Sequence, residues 1–210
     1  MPQTVQQPTE NAPAPFRIIW TREDCERFEN DGLLIPGKYE LIEGEIIRKM
    51  PQNRPHSAGI SRLFAWCLSV FTMDFVQTQA AINVSPEDNP TSFPEPDVFV
   101  LNRSIAYFTS AFPTPTDLEL VAEVSDSTLA FDLSTKAGLY ARAGSMEYWV
   151  LDVIGRALTV HREPSNGRYQ SVVRYAADES VATLAKPAKQ VVVSALLPPL
   201  APVETKEEEN

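Results

Sequence analysis

The sequence is poor in the residues that build closed metal or disulfide frameworks: two cysteines, Cys25 and Cys67, and two histidines, His56 and His161, among 210 residues. Two cysteines cannot make a disulfide scaffold or a Cys-rich zinc site, and two histidines cannot make a three-histidine one. Any metal would be held mainly by oxygen. No stretch approaches the roughly 18 uninterrupted apolar residues of a membrane-spanning helix, and the N-terminal MPQTVQQPTENAPAP lacks the basic start and apolar run of a signal peptide. A soluble, cytoplasmic protein with no membrane partner is expected. Net positive charge is missing too. Lys and Arg number 18 against 28 Asp and Glu, a formal charge of −10, which weighs against tight, sequence-independent binding to phosphate backbones. A site for a divalent cation nevertheless needs negative charge of its own. No P-loop, Rossmann glycine pattern, G-x-S-x-G or H-E-x-x-H is present, and no repeat recurs at a period of 20 to 50 residues.

What is present can bury a core: 43% of the residues are hydrophobic, enough at this length for one domain. Four of the 18 prolines fall in residues 1–15 beside Gln, Thr and Asn, a composition that reads as a disordered arm, and residues 200–210 read as a solvated acidic tail. The folded domain is then expected at 16–199. Thr21 is a candidate cap for a first helix ended by Gly32, and YELIEGEIIRKM (39–50) reads as strand, Gly44 turn and strand. Ile60, Leu63, Phe64, Cys67, Leu68 and Phe71 recur at the spacing of one buried helix face, predicting a helix over 56–73. Strands are predicted at 75–84, 96–102, 118–125 and 147–153. A second apolar helix face runs through Leu133, Ala137, Tyr140 and Ala141, with Asp132 as candidate N-cap and Gly144 as stop. ALTVHRE and RYQSVVRY flank PSNG as a hairpin. The pattern is α/β, a mixed sheet flanked by helices with an added hairpin. Met146, Trp149 and that hairpin would serve a homodimer contact if exposed and the core if not.

Two carboxylates stand in apolar surroundings: Asp97 at the start of one strand and Glu123 inside another, between Ala122 and Val124. A carboxylate in a central strand loses hydration and must be paired, protonated or bound to a cation. Two on neighbouring strands offer the oxygen ligands that Mg²⁺ or Mn²⁺ prefers, with water and substrate phosphate completing the shell. The plainer reading satisfies each acid with backbone or an Arg. Lys136, about one turn into the following helix, can lean back over the Glu123 strand end, where its charge would act on a phosphate; alternatively it forms an exposed pair with Asp132. If it acts only on the chemistry, removing it should leave folding nearly intact. Weaker candidates surround these. Glu95 shares the Asp97 face, Glu40 and Glu43 are sources of a third carboxylate, and His56 lies on the inward face of its helix as a cap or core-edge residue. A carboxylate pair would also suit a glycosidase, but no aromatic sugar platform accompanies it.

PEPDVFV (94–100), LVAEVSDST (120–128), the Asp132 to Lys136 D-x-x-x-K and YARAGSMEYWVLD (140–152) occur in that order, after YELIEGEI and PHSAGISRLF. Together they resemble the Uma-type putative restriction endonucleases, a bacterial branch of the PD-(D/E)XK nuclease superfamily, over about residues 16–199. The resemblance implies a restriction-endonuclease-like core and metal-dependent phosphodiester hydrolysis in DNA. It implies Asp97 and Glu123 as ligands for Mg²⁺ or Mn²⁺ and Lys136 as the catalytic lysine. The superfamily's usual lysine lies two residues after the acid, where this chain has Ser125, on the Glu123 face by strand alternation. The rival reading is a catalytically inactive module of the same fold that binds protein or nucleic acid.

Overall fold

The computed structural model describes residues 17–49 and 53–200. The expected arm at 1–15 and, apart from Leu200, the acidic tail lie outside the described residues. Helix α1 (Arg22–Asn30) starts where the sequence predicts: the Thr21 hydroxyl accepts the Asp24 N–H while the Asp24 carboxylate accepts the Thr21 N–H. Beyond its end the chain turns through Gly32 at φ +71°. Strands β1 (Tyr39–Ile42) and β2 (Glu45–Arg48) pair antiparallel across a two-residue turn, Glu43 and Gly44, both at positive φ. Helix α2 (Arg54–Phe71) is capped by Asn53 and carries Pro55 in its first turn, where a missing N–H costs nothing.

The main sheet has six strands in sequence order: β3 (Val76–Gln77), β4 (Val98–Leu101), β5 (Leu118–Ser125), β6 (Glu147–Asp152), β7 (Ala157–Ser165) and β8 (Arg168–Ala176). Only β5 and β6 are parallel. Their crossover contains α3 (Leu129–Phe131), a π-helical turn at Asp132–Lys136 and α4 (Ala137–Arg142). A small pair, β9 (Ser180–Val181) with β10 (Val191–Val192), and α5 (Val193–Leu196) follow. The predicted hairpin forms, turning at Asn166 and Gly167, both at positive φ.

The predicted strand at 75–84 is largely absent; only Val76–Gln77 pairs as a strand. The reason lies opposite, where Pro94 and Pro96 have no N–H to return. Their carbonyls accept from Ile82 and Gln79, but no reciprocal bonds close the ladder, and Gln79 turns aside at φ +49°.

Strand alternation sorts β5 onto two cores. Leu120, Ala122 and Val124 pack with Ile60, Leu63, Cys67 and Phe71 of α2, whereas Val121 packs with Ala137, Tyr140 and Ala141 of α4. Glu123 and Ser125 share the second face. Trp149 is fully buried and stacks on Trp66 at 5.5 Å, so it belongs to the core and not to a dimer contact; Met146 is exposed. Gly59 lets α2 approach β5 closely. A Cβ there would come within 2.8 Å of the Val124 side chain. Gly59→Val is therefore expected to cost about 1–3 kcal/mol by overpacking, read as a lower urea midpoint with unchanged slope. Among the described residues, no helix is long and apolar enough to cross a membrane.

Candidate active site

Asp97 sits one residue before β4, and Glu123 lies on the adjacent β5 in register next to Ala122, the partner of Val98. The Asp97 side chain turns toward β5, where its Oδ2 accepts the Val124 N–H at 2.8 Å. Lys136 comes off the end of the π turn and is buried. Its Nζ lies 2.9 Å from Glu123 Oε1 and 3.0 Å from Glu40 Oε2, so one ammonium bridges two carboxylates from separate sheets. The Tyr140 hydroxyl, one turn further along, donates to the same Glu123 Oε1 at 3.0 Å. His56, in the first turn of α2, places Nε2 3.5 Å from Asp97 Oδ2. Glu40, His56, Asp97, Glu123 and Lys136 line a cavity of about 330 Å³ that also reaches Glu95, Asp126 and Asp132, with Tyr140 behind Glu123.

The electrostatics follow from burial and an excess of acid. Burial pushes the Glu123 carboxyl well up; Lys136 opposes this, while Asp97, Asp132 and Glu40 add to it. Burial by itself would lower Lys136, but Glu123, Glu40 and Asp132 hold it above its usual value. Lys136 is thus an ammonium ion throughout the physiological range and no proton acceptor. The hydrogen bond to Asp97 raises His56 against the opposing effect of burial.

A second strand acid shows what a purely structural carboxylate looks like. Glu147 is fully buried, yet Oε1 accepts from Trp149 and twice from Arg162 and Oε2 accepts the Leu184 N–H. In Glu123 both donors reach Oε1. Among the described residues no hydrogen bond reaches Glu123 Oε2 or Asp97 Oδ1. Two open carboxylate oxygens beside surplus negative charge are hard donors that fit Mg²⁺ or Mn²⁺, which commonly take one or two carboxylates and fill the shell with water and phosphate. Among the described residues, no group of three or more His, Cys, Asp and Glu is set to hold a metal ion by itself. The donor set therefore fits an open, hydrated ion and not a closed cage.

Residues 26–190 match the family described as Uma2: Putative restriction endonuclease. The chain belongs to the Uma2 family. The crystal structure of a putative nuclease belonging to DUF820 from Anabaena variabilis ATCC 29413 is similar in fold, with a TM-score of 0.58 and 18% identity over 75% of this chain and 88% of that one. No curated protein matches the sequence.

In this Uma2 chain, Glu40, His56, Asp97, Glu123 and Lys136 come together, Glu95 stands at the rim in an ion pair with Lys49, and Glu43 stays out. Glu43 occupies the β1–β2 turn at φ +50° and pairs with Arg142, which fixes it on the outer surface. Asp132 is not an N-cap, because the helical segment already begins at Leu129. Its carboxylate is buried under the cleft and accepts from Ser125 Oγ at 2.5 Å and Thr128 Oγ1 at 2.7 Å. Lys136 accordingly lies two turns into the segment, and its partners are Glu123 and Glu40 in place of the exposed Asp132 pair. Ser125, two residues after Glu123 on the same strand face, supports Asp132 through its hydroxyl. Tyr140 escaped the sequence reading because its ring satisfies the apolar period. Its position four residues after Lys136 was the available signal. Tyr140→Phe is expected to cost about 1.5–3 kcal/mol, the range for a hydrogen bond to a charged group, measured by equilibrium unfolding.

Proposed function

We propose that this Uma2 protein is a cytoplasmic endonuclease that hydrolyses phosphodiester bonds in DNA with Mg²⁺ or Mn²⁺. The observation that carries the reading is the buried Lys136 ammonium 2.9 Å from Glu123, in one cavity with the open oxygens of Glu123 and Asp97. Asp97 and Glu123 would hold the ion through those oxygens. A bound ion of this kind polarises the phosphate and lowers the pKa of water. Lys136, permanently charged, donates to the phosphate oxygens as negative charge builds on them, without having to reorganise at that moment. Tyr140 and Lys136 together fix the Glu123 rotamer, and the Val124 N–H and His56 fix Asp97. In the hydrolysis the water oxygen bonds to phosphorus and gives up a proton to solvent, one P–O ester bond breaks, and the leaving alkoxide takes up a proton from solvent.

A second reading keeps the fold and drops the chemistry. It is favoured by the position of Lys136, which bridges Glu40 and Glu123 and closes the cluster on itself. Nicking of supercoiled plasmid separates the two. The nuclease reading expects nicking with Mg²⁺ or Mn²⁺, none with EDTA, and a loss of about 10² or more in Glu123→Gln. DNA retardation in a gel without nicking by either ion would leave the binding module.

A further inference from the structure

The cleft opens on one side into a second cavity of about 990 Å³, and the two share Arg48, Lys49, Gln79 and Glu95 as walls. Their charges are opposite. The first is walled by six acids and three Lys or Arg; the second carries Lys38, Arg48 and Lys49 against the single acid Glu95. In a chain with 28 acids and 18 bases, the second cavity adds Lys38 to the Arg48 and Lys49 of the shared wall and brings no acid beyond Glu95, so the sign of the potential changes from the acidic cavity to this one.

The cations are held in place by backbone. Arg48 pairs in register with Tyr39, and the Lys49 N–H donates to the Lys38 carbonyl at 2.9 Å, so all three stand at the open end of the β1–β2 hairpin. Lys49 is engaged by Glu95. Lys38 and Arg48 are exposed, and among the described residues neither has a carboxylate partner. Opposite them the loop after α1 displays Leu33 and Ile35, 71% and 65% exposed. That loop is ordered by bonds from Leu33 and Leu34 N–H to the Phe28 carbonyl and from Lys38 N–H to the Ile35 carbonyl. Large apolar side chains held out to water beside unpaired cations match a ligand that alternates phosphates with apolar faces.

We infer that this groove seats the DNA strand on one side of the scissile phosphate, with Lys38 and Arg48 on backbone phosphates and Leu33 and Ile35 against a base or sugar face. The inference rests on DNA being the substrate of the neighbouring cleft. It assigns the two cavities complementary tasks: the acidic one takes the cation and the reacting phosphate, and the basic one takes the flanking strand.

Fluorescence anisotropy of labelled single-stranded and duplex oligonucleotides in EDTA, across a series of salt concentrations, tests it. Lys38→Ala/Arg48→Ala should weaken binding for every sequence and reduce the slope of log K against log salt by about 1.4 on single strands and about 1.8 on duplex, the loss of two phosphate contacts. Leu33→Ser/Ile35→Ser should weaken binding with the slope unchanged, since no counterion release is lost. Lys186→Ala/Lys189→Ala, outside both cavities, should change neither. Unaltered affinity and slope in the Lys38/Arg48 variant, or an equal fall in slope in the Lys186/Lys189 variant, would overturn the groove. Plasmid nicking at unchanged KM in Lys38→Ala/Arg48→Ala would also overturn it while leaving the nuclease reading standing. Groove-dependent binding without nicking under Mg²⁺ or Mn²⁺ would uphold the groove and defeat the nuclease. A parent protein that binds no DNA would defeat both.

Discussion

Lys136→Ala is expected to destabilise the fold by about 3–5 kcal/mol, because it leaves Glu123 and Glu40 buried without their shared counter-charge. For a chain of this size that is a fall in melting temperature on the order of 10 °C. The sequence alone suggested a lysine that acts on chemistry and leaves folding nearly intact; burial of its amine between two carboxylates makes it structural as well. Neutralising partner and lysine together separates the causes. Lys136→Met with Glu123→Gln should recover part of the loss, and Glu40→Gln added to it most of the remainder, since replacing a buried cluster costs far less than breaking it. A single variant that loses under 1 kcal/mol, or a double that loses as much as the single, would show that the pair is not coupled as its geometry implies.

Mg²⁺ or Mn²⁺ is expected to raise the melting temperature by about 5–10 °C once its free concentration reaches about 100 times Kd, the equivalent of about 2.7 kcal/mol. Asp97→Asn with Glu123→Gln should abolish the rise. Without a divalent ion the same variant should be less stable than the parent, because Glu123→Gln removes one of the two carboxylates that pair with the buried Lys136 ammonium. The readout is therefore the ion-induced rise within each protein, not the difference between their ion-free midpoints. A rise that survives in the double variant would place the ion elsewhere.

Several parts of this arrangement were legible in the sequence for identifiable reasons. The α2 face showed in the spacing from Ile60 to Phe71, and β5 in the unbroken apolar run around Glu123. Lys136 was correctly expected to reach back toward the Glu123 strand, since a lysine on the apolar side of a helix can lean toward its N-terminus. The π turn had no signature in composition, so the start of the helix was placed at Asp132 and the buried role of that acid was missed. Such turns recur at functional sites, where they re-aim one side chain; here the residue at the end of the turn is Lys136. The failed strand at 75–84 was a property of its partner, whose two prolines cannot donate. The difference between Glu147 and Glu123 was invisible for the same reason. Both are strand acids flanked by apolar residues, and only the donors brought in from Arg162 and Leu184 tell them apart.

The assignment of the cleft as a divalent-metal centre is tested most directly by crystals of the protein grown or soaked with Mn²⁺ and measured for anomalous scattering. The account predicts one or two Mn²⁺ peaks within coordination distance of Asp97 Oδ1 and Glu123 Oε2, about 2.0–2.2 Å for a small hard cation on oxygen, with Lys136 still on Glu123 Oε1. A cleft free of Mn²⁺ at saturating concentration, or Mn²⁺ seated on other acids with the Asp97 and Glu123 oxygens untouched, would contradict it.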